Sequence, residues 1–267
     1  MMLTVVISYY KALDNLKLIL RALNNQSSMD FEVIISEDDN NPETIDFLSA
    51  NKAKFHFKIL HINQLKDDGF RKNEMLNKAI LSSNADMLVF IDGDCVPHRH
   101  FIKNYQRHLV EGYICEGRSV MLGEDISKEI KQSQTLDKLN IVSLVASDSG
   151  NIKEGIYFPF FPLSNNMKGR GLLGRNWGIF KKHLIAVNGF DMDYVKAGVG
   201  EDVDIEWRLK ASGLKSKSLK NKAIVYHIFH PRGYSDEAVV FNYNLFAEKQ
   251  KLNHIKCKNG LEQLGTI

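Results

Sequence analysis

Short apolar runs alternate with amphipathic segments along the first hundred residues. The runs that we predict as strands are Leu3 to Ser8, Phe31 to Ser36, Lys58 to Ile62 and Met87 to Ile91. They are apolar or β-branched, which is typical of strands buried on both faces of a parallel sheet. Between them, apolar residues recur every three or four positions from Leu13 to Leu23 and from Met75 to Ile80, a spacing that predicts helices.

This alternation of strand and helix predicts right-handed crossovers and therefore a doubly wound α/β sheet with helices on its faces. Ligands of such sheets bind beyond the carboxyl ends of the strands. The three predicted strand ends that face this edge are all polar: Ser8-Tyr9-Tyr10, Glu37-Asp38-Asp39 and Asp92-Gly93-Asp94. The sequence therefore predicts a polar binding site at that edge of the sheet.

The pattern loosens after residue 110. Residues 123 to 155 are polar and show no clear period, so we expect a variable insertion there. The segment from Gly169 to Gly178 is rich in glycine and leads into the strand-like Ile179-Phe180. Further elements are predicted as a helix from Glu201 to Ala211, a last strand from Lys222 to Phe229 and a polar-aromatic terminal helix over 236 to 260.

Composition narrows the class of protein. The chain has 267 residues, of which 44% are hydrophobic, so it is long and apolar enough for one large α/β unit. A formal net charge of +3, together with acids at two of the three predicted strand ends, disfavours a nucleic-acid binder. The three cysteines, Cys95, Cys115 and Cys257, are too scattered for a disulfide framework or a zinc knuckle, so we expect a reducing, cytoplasmic setting.

Neither a membrane span nor a signal peptide is predicted. The longest apolar strings, Met87 to Ile91 and Tyr157 to Leu163, fall well short of the roughly 20 residues of a spanning helix. The first residues lack a charged region followed by an apolar stretch of secretory length, so we interpret them as the first strand.

The segment from Phe90 to Cys95 is an apolar strand that ends in two carboxylates separated by one glycine. Positions i and i+2 of an extended chain point to the same side, so Asp92 and Asp94 are expected to face one point, and Gly93 would let a bulky anion approach. Two acids in this arrangement repel each other unless a cation lies between them. Mg²⁺ or Mn²⁺ with a bound diphosphate would satisfy both. An ordinary Asp-Gly turn would give the same tripeptide.

Three acids occur within four residues at Glu201-Asp202-Val203-Asp204. The dipole of a helix favours acids in its first turn, which is one explanation of the cluster. The other is a general base: Asp202 would take a proton from an attacking hydroxyl while Glu201 orients the molecule that carries it. Asp204 is assigned to the polar face of the helix.

Two histidines lie three positions apart in Tyr226-His227-Ile228-Phe229-His230-Pro231. Neutral imidazole is a good ligand for Mn²⁺-like metals. Residues i and i+3 of a straight strand face opposite sides, so both rings reach one ion only if the chain turns, and Pro231 favours a turn. A structural histidine pair is the alternative.

Three further segments have a functional and a structural interpretation. Arg71, at a turn into a helix start, is placed to meet a phosphate or a base, although a solvated helix N-terminus has the same pattern. Asn176 and Trp177 could contact a sugar ring, with a core position as the alternative for Trp177. Six basic residues and no acid occur from Arg208 to Lys222, which suits an anionic membrane surface, a phosphate-linked acceptor or a solvated face.

The order of these segments resembles the inverting family-2 glycosyltransferases of GT-A fold, with a galactosyltransferase-type C-terminal region. The segments that carry the resemblance are the first strand end with Tyr10, the acid Asp38, Arg71 at a helix start, Asp92-Gly93-Asp94, the glycine-rich Asn/Trp loop, Glu201-Asp202 and His227-x-x-His230. The resemblance covers roughly residues 3 to 110 and 165 to 232 and leaves the insertion and the tail unexplained.

On the donor side, the resemblance implies that the uracil of a UDP-sugar lies against Ser8 and Tyr10 and that Asp38 meets its edge. The family pattern at this acid is Asp-Asp-Gly-Ser, from which the chain departs at Glu37, Asp39 and Asn40. Arg71 matches the arginine of the Ala-Arg-Asn stretch of the family. Asn176 and Trp177 are expected to complete the nucleotide-sugar contacts.

For the chemistry, the resemblance implies that Asp92 lies near the ribose and the metal and that Asp94 binds Mn²⁺ or Mg²⁺. His227 or His230 would complete the metal site. Asp202 matches the catalytic base and Glu201 an acceptor contact. The tryptophan and glycine that often precede this Glu-Asp pair are replaced by Gly198-Val199-Gly200, so the acceptor cannot be named from the motif.

The implied fold is a GT-A-type doubly wound mixed sheet flanked by helices, in one large domain. Its expected parts are a nucleotide-sugar-binding half (1–110), a variable insertion (111–165), an acceptor and catalytic half (166–235) and a C-terminal helical tail (236–267).

The implied activity is metal-dependent transfer, with inversion, of a hexose or N-acetylhexosamine from a UDP-sugar to a glycan or a lipid-linked glycan. Bacterial surface polysaccharide or lipooligosaccharide synthesis is the expected pathway, in the cytoplasm or peripherally at the inner face of the membrane.

Two other functions stay open at this point. A sugar nucleotidyltransferase usually has a glycine-rich loop after its first strand, whereas Ser8 to Leu13 contains no glycine. A non-catalytic sugar-nucleotide-binding subunit would bind UDP without turnover.

Overall fold

The computed structural model describes residues 2–160, 171–198 and 200–265. The strands are β1 (Leu3–Tyr9), β2 (Phe31–Glu37), β3 (Lys58–Asn63), β4 (Met87–Asp92), β5 (Cys95–Pro97), β6 (Tyr113–Glu116), β7 (Arg118–Met121), β8 (Trp177–Phe180), β9 (Lys215–Ser218) and β10 (Ile224–His227). The helices are α1 (Leu13–Asn24), α2 (Pro42–Asn51), α3 (Lys72–Ser82), α4 (Phe101–His108), α5 (Glu124–Ser133), α6 (Ile141–Val145), α7 (Lys181–Ala186), α8 (Glu201–Ala211) and α9 (Asp236–Lys251). None of the described helices is both long and apolar enough to cross a membrane.

A seven-stranded mixed sheet in the order β3-β2-β1-β4-β8-β6-β9 forms the centre of the fold. β3, β2, β1 and β4 are parallel, and β8 runs antiparallel to both β4 and β6. The four predicted strands and the first two predicted helices are confirmed, each strand extending one residue beyond its predicted end. The doubly wound mixed sheet is therefore confirmed as well.

The inner strands are buried on both faces, as their apolar runs predict. Every residue of β2 is buried, and in β1 only Ser8 is partly exposed. The apolar side chains of α1 pack on one face of the sheet, and those of α3 and α8 pack on the other. β3 lies at the edge of the sheet and is correspondingly more exposed.

A second, three-stranded sheet in the order β5-β10-β7 brings the last strand back to the end of β4. β10 pairs antiparallel with β5, so that His227 lies opposite Cys95, and parallel with β7. The N–H of Ile228 donates to the carbonyl of Asp94 at 2.8 Å. This register is what places the two C-terminal histidines beside the Asp92-Gly93-Asp94 segment.

The segment 111–165, expected to be a variable insertion, contributes strands to both sheets. Its first part forms β6 in the large sheet and β7 in the small one, and α5 and α6 follow. Strands of four residues are too short to show a period, which is why the pattern did not reveal them. Residues 161–165 of this segment, and Gly169 and Val199 of the two glycine motifs, lie outside the described residues.

The C-terminal segment packs on the same fold. Its helix ends at Lys251, earlier than predicted, and a short 3₁₀ turn, Leu261–Gln263, follows. The ammonium of Lys249 is buried and lies 2.5 Å from a carboxylate oxygen of Asp191 and 2.6 Å from one of Asp193. This ion pair ties α9 to the loop that leads to α8.

Candidate active site

A cleft of about 550 Å³ opens at the carboxyl ends of β1 and β4. Its lining includes six of the predicted site residues: Ser8, Tyr10, Asp38, Asp92, Asp94 and His230. The parallel strands β1, β2 and β4 deliver the first five of these residues to one edge, because each strand carries its polar residues at or just past the end of its buried run. His230 reaches the same edge from the turn after β10. The predicted binding edge therefore coincides with a real cleft.

A cavity of about 700 Å³ lies elsewhere, between the end of α1 and β5. Its lining includes Gln26, His98 and Arg99 but none of the predicted site residues. We place the site in the smaller cleft because its lining contains the acids Asp38, Asp92 and Asp94 and the imidazole of His230. His227, Glu201 and Asp202 are not part of that lining.

Asp94 and the two histidines form one cluster. Oδ2 of Asp94 lies 3.0 Å from Nε2 of His230 and 3.5 Å from Nε2 of His227. β10 ends at His227 and the chain then turns, so both rings reach the same carboxylate oxygen. Sγ of Cys95 donates to Oδ1 of Asp94 at 3.3 Å.

The donor atoms of this cluster suit a divalent cation. Ligand atoms of Asp94, Cys95 and His227 lie within 4.8 Å of one another, and Nδ1 of His227 is buried without a hydrogen-bond partner among the described residues. Burial raises the pKa of the Cys95 thiol well above its usual value, so this residue stays protonated. The carboxylate and the imidazoles are therefore the better ligand set, of the kind that Mn²⁺ accepts.

The protonation of the cluster follows from its contacts. Burial raises the pKa of Asp94, but the hydrogen bond from His230 and the charge of His227 outweigh it, so that pKa lies below its usual value. The same hydrogen bond raises the pKa of His230 to about 9, while burial lowers the pKa of His227. Asp94 is thus ionised, which is the form that binds a cation.

Asp92, Gly93 and Asp94 do not continue one extended strand. β4 ends at Asp92, and a turn at Gly93 and Asp94 leads into β5. A Cβ at Gly93 would lie 2.9 Å from the carbonyl oxygen of Ser8, so the glycine is required by the neighbouring β1 backbone. The two acids line one cleft but have different partners, which corrects the expectation that they face one point.

The acid pair Glu201 and Asp202 begins α8, as predicted. Glu201 is 5% exposed, and Oδ2 of Asp202 accepts a hydrogen bond from the N–H of Gly174 at 2.7 Å. Burial raises the pKa of Glu201 to about 7. The charge of Lys72 opposes this increase, and the charge of Asp202 adds to it. Burial also raises the pKa of Asp202, and the charge of Lys72 again opposes the increase.

Lys72 joins this acid pair to the end of β4. Its Nζ lies 3.3 Å from Oδ1 of Asp92 and 3.4 Å from Oε1 of Glu201. None of the sequence motifs assigns this lysine to the site. One signal was present: Lys72 is the first residue of α3, where the helix dipole disfavours a cation, so a compensating acid was to be expected.

Arg71 contributes its backbone rather than its side chain. Its N–H lies 3.0 and 3.1 Å from the two carboxylate oxygens of Asp38, which also accept from Gln64 at 2.7 Å. The guanidinium pairs with Asp68 at 2.8 Å and is not part of the cleft lining. Burial raises the pKa of Asp38 to about 6, although the hydrogen bonds from Gln64 and Arg71 lower it.

The side chains of Asn176 and Trp177 are buried in the core, which corrects the expectation that they contact the sugar. Trp177 is 1% exposed and stacks on Phe90 with ring centroids 4.5 Å apart. The amide of Asn176 donates to the carbonyl of Arg118 and accepts from the Tyr105 hydroxyl at 2.7 Å. Trp177 opens β8, between β4 and β6 in the middle of the sheet, so its side chain packs inward.

The comparison with known families decides the class. Residues 4–182 match the family described as glycosyl transferase family 2. The chain belongs to this family. Residues 161–231 also match the family described as N-terminal domain of galactosyltransferase.

Relatives and solved structures agree with this family. The chain is 22% identical over 269 residues to "Uncharacterized glycosyltransferase YfnE" of Bacillus subtilis (strain 168), covering 85% of this chain and 65% of that protein. The chain thus spans about two thirds of the length of this relative.

The fold is shared with solved GT-A glycosyltransferases. S. aureus TarS 1-349 in complex with UDP superposes with a TM-score of 0.61 at 13% identity, covering 98% of this chain and 68% of that chain. Mannosyltransferase PcManGT from Pyrobaculum calidifontis, in complex with GDP-Man and Mn²⁺, gives a TM-score of 0.55 at 14% identity, covering 94% of this chain and 62% of that chain. The GT-A fold expected from the sequence is therefore confirmed.

Proposed function

We propose that the protein is a metal-dependent, inverting glycosyltransferase that moves a hexose or N-acetylhexosamine from a UDP-sugar to a glycan hydroxyl. The observation that carries this proposal is one arrangement at the end of β4. There, a carboxylate with two imidazoles lies on one side, and a buried acid pair is joined to the same strand end through Lys72.

The cleft supplies the donor side of this proposal. Its volume of about 550 Å³ falls within the usual range for small-molecule sites. Tyr10 is 54% exposed at its mouth, with the ammonium of Lys11 4.7 Å from the centre of its ring. This ring would lie against uracil, with Ser8 beside it. The carboxylate of Asp38 already accepts hydrogen bonds from Gln64 and from the N–H of Arg71. Its remaining lone pairs would accept a hydrogen bond from the edge of the base.

Asp94, His227 and His230 would hold Mn²⁺ or Mg²⁺. When bound, such an ion stabilises the negative charge that builds on the β-phosphate as the bond to the sugar breaks. The relative that binds Mn²⁺ with GDP-Man supports a divalent cation in this fold. Asp92, next to the cluster, would contact the ribose.

Asp202 would be the general base. The N–H of Gly174 fixes its carboxylate, and burial brings its pKa closer to the pH at which a base works best. Glu201 would orient the acceptor. Attack by the activated hydroxyl from the face opposite the diphosphate inverts the anomeric carbon in one displacement, without a covalent intermediate on the protein.

We propose a glycan or lipid-linked glycan of bacterial surface polysaccharide or lipooligosaccharide synthesis as the acceptor. Peripheral association with a membrane through the basic segment has less support than the sequence suggested. Arg208 is buried and pairs with Asp204 at 2.6 Å, and Lys222 is 1% exposed. The basic surface that remains consists of Lys210, Lys215, Lys217 and Lys220.

Thermal stabilisation by a panel of nucleotides, with and without Mn²⁺, tests this function. We expect stabilisation by UDP only when Mn²⁺ is present, followed by hydrolysis of a UDP-sugar by the protein. A preference for GDP would keep the class and change the donor. Preference for ATP, or indifference to the metal, would contradict the proposal, and UDP binding without turnover on any acceptor would favour the non-catalytic alternative.

A further inference from the structure

Lys72 lies at the junction of the two halves of the proposed active site. It is the first residue of α3, and its side chain is 17% exposed. The ammonium contacts Asp92, where β4 ends, and Glu201, where α8 begins. Within the described residues, no other lysine or arginine forms an ion pair with either acid.

This position is unfavourable for a lysine unless acids surround it. The positive end of the α3 dipole disfavours a cation there, and so does the removal of the ammonium group from water on burial. The pKa of Lys72 is nevertheless raised, because Asp92, Glu201 and Asp202 together outweigh the effect of burial. The ammonium therefore stays charged.

We propose that Lys72 is a positioning residue: it holds Glu201 against the end of β4 and favours the ionised forms of the Glu201–Asp202 pair, so that Asp202 can accept the proton of the attacking hydroxyl. The catalytic part of this inference rests on the proposed function. The electrostatic part, that Lys72 sets the protonation of the acid pair, concerns the folded chain alone.

The charged groups around the pair come from three other elements. Lys72 reaches it from α3, Asp92 from β4, and Arg175 from the loop before β8. Burial and Asp92 raise the pKa of both acids, while Lys72 lowers both, and Arg175 also lowers that of Asp202. Lys72 is the strongest of the influences that favour the ionised forms, so its removal is expected to favour protonation.

A buried ion pair that only stabilises the fold would give the same contacts. The two explanations differ in pH dependence. If Lys72 sets the protonation of the acids, its removal should lower the free energy of unfolding only slightly at pH values where the acids are protonated. The loss should be larger at pH values where the acids are ionised. A purely packing role would make the cost independent of pH.

The first experiment compares wild type, Lys72→Met and Lys72→Arg, with Lys78→Met as a matched control. Lys78 is on the same helix and pairs at 2.7 Å with Glu74 in a partly exposed ion pair. UDP-sugar hydrolysis is measured from pH 5 to 9 with saturating Mn²⁺. We expect Lys72→Met to move the acidic limb of kcat/KM upward by about one pH unit or more, and Lys72→Arg to restore it. If kcat/KM of Lys72→Met fell by the same factor at every pH, or if its acidic limb stayed at the wild-type position, the proposal would be overturned.

A second experiment needs no turnover, so it separates this inference from the proposed function. The unfolding equilibrium of the same variants is measured in denaturant at pH 5.5 and 8.5. Lys72→Met should raise the equilibrium constant for unfolding at both pH values, and we expect this effect to be about tenfold larger at pH 8.5 than at pH 5.5, because a change of one pKa unit corresponds to a factor of ten. The effect of Lys78→Met should be the same at both pH values. An equal cost of Lys72→Met at both values would refute the electrostatic role even if the wild type proved inactive.

Discussion

The backbone N–H of Gly174 donates a 2.7 Å hydrogen bond to Oδ2 of Asp202. This contact ties the glycine-rich loop before β8 to the first turn of α8, two segments that are 28 residues apart. A Cβ at position 174 would lie 2.8 Å from Oδ1 of the same carboxylate. The glycine is therefore needed for the close approach that holds the proposed base.

Gly174→Ala is expected to displace Asp202 and to slow transfer at least about tenfold, because small misplacements of a catalytic group are costly. UDP binding should persist, since the cleft lining does not include this loop. Kinetics with a UDP-sugar and a thermal-shift titration with UDP check the two parts. Gly150→Ala is the control, because a Cβ there meets only ordinary contact at 3.7 Å. Equal activity of the two variants would contradict the role given to Gly174.

Asp202→Asn keeps the shape of the side chain and removes the base. We expect transfer to fall by about 10²–10⁴-fold while UDP affinity stays unchanged. Glu206→Gln, on the same helix in an ion pair with Lys210, should retain wild-type rates. If Asp202→Asn turned over at a near-native rate, the base would have to be another residue.

Asp94→Ala removes the carboxylate shared by the two histidines. The fold should persist, because Asp94 lies in a turn and is partly exposed. We expect Mn²⁺ to lose its effect on UDP-induced thermal stabilisation. Asp86→Ala, an exposed acid at the other end of β4, is the matched variant and should respond to Mn²⁺ like wild type. An undiminished Mn²⁺ effect in Asp94→Ala would place the ion elsewhere.

Trp177→Ala tests the burial of this tryptophan. Loss of its stacking on Phe90 should lower the free energy of unfolding by about 3–5 kcal/mol, which denaturant titration measures. Trp177→Phe should be much less destabilised and should bind UDP with wild-type affinity, because the ring does not line the cleft. Weaker UDP binding by a stably folded Trp177→Phe would instead support a contact with the donor.

The raised pKa of Glu201 predicts a pH-dependent stability. Its carboxyl has a pKa of about 7 in the folded chain against 4.5 ordinarily, so the folded state binds the proton more tightly. The free energy of unfolding should therefore fall as the pH rises from about 4.5 to about 7, by an amount on the order of 2 kcal/mol. Glu201→Gln should flatten this part of the stability curve in denaturant titrations, whereas Glu206→Gln should leave it intact. A slope that survives in Glu201→Gln would belong to other groups.

Much of the fold follows from local pattern. Buried parallel strands need continuous apolar runs, and helices on the sheet need an apolar stripe, so β1 to β4, α1 and α3 are legible in the residues themselves. The start of α8 at Glu201 is equally local, since acids in a first turn suit the helix dipole. β6 and β7 are too short to carry a period, so their place in the sheets depends on their partners.

The site divides in the same way. The amino-acid sequence determined that acids and imidazoles follow the ends of apolar strands, because strand burial and polar strand ends are written in consecutive residues. The tertiary structure alone decided which of them meet. The pairing of β10 with β5 brings His227 to Asp94, and the packing of α3 and α8 on the same face of the sheet places Lys72 between Asp92 and Glu201. Contacts such as those of Lys72 with Glu201 and of Asp94 with His227 join distant parts of the chain, and no local pattern encodes them because they arise only when the sheets are assembled.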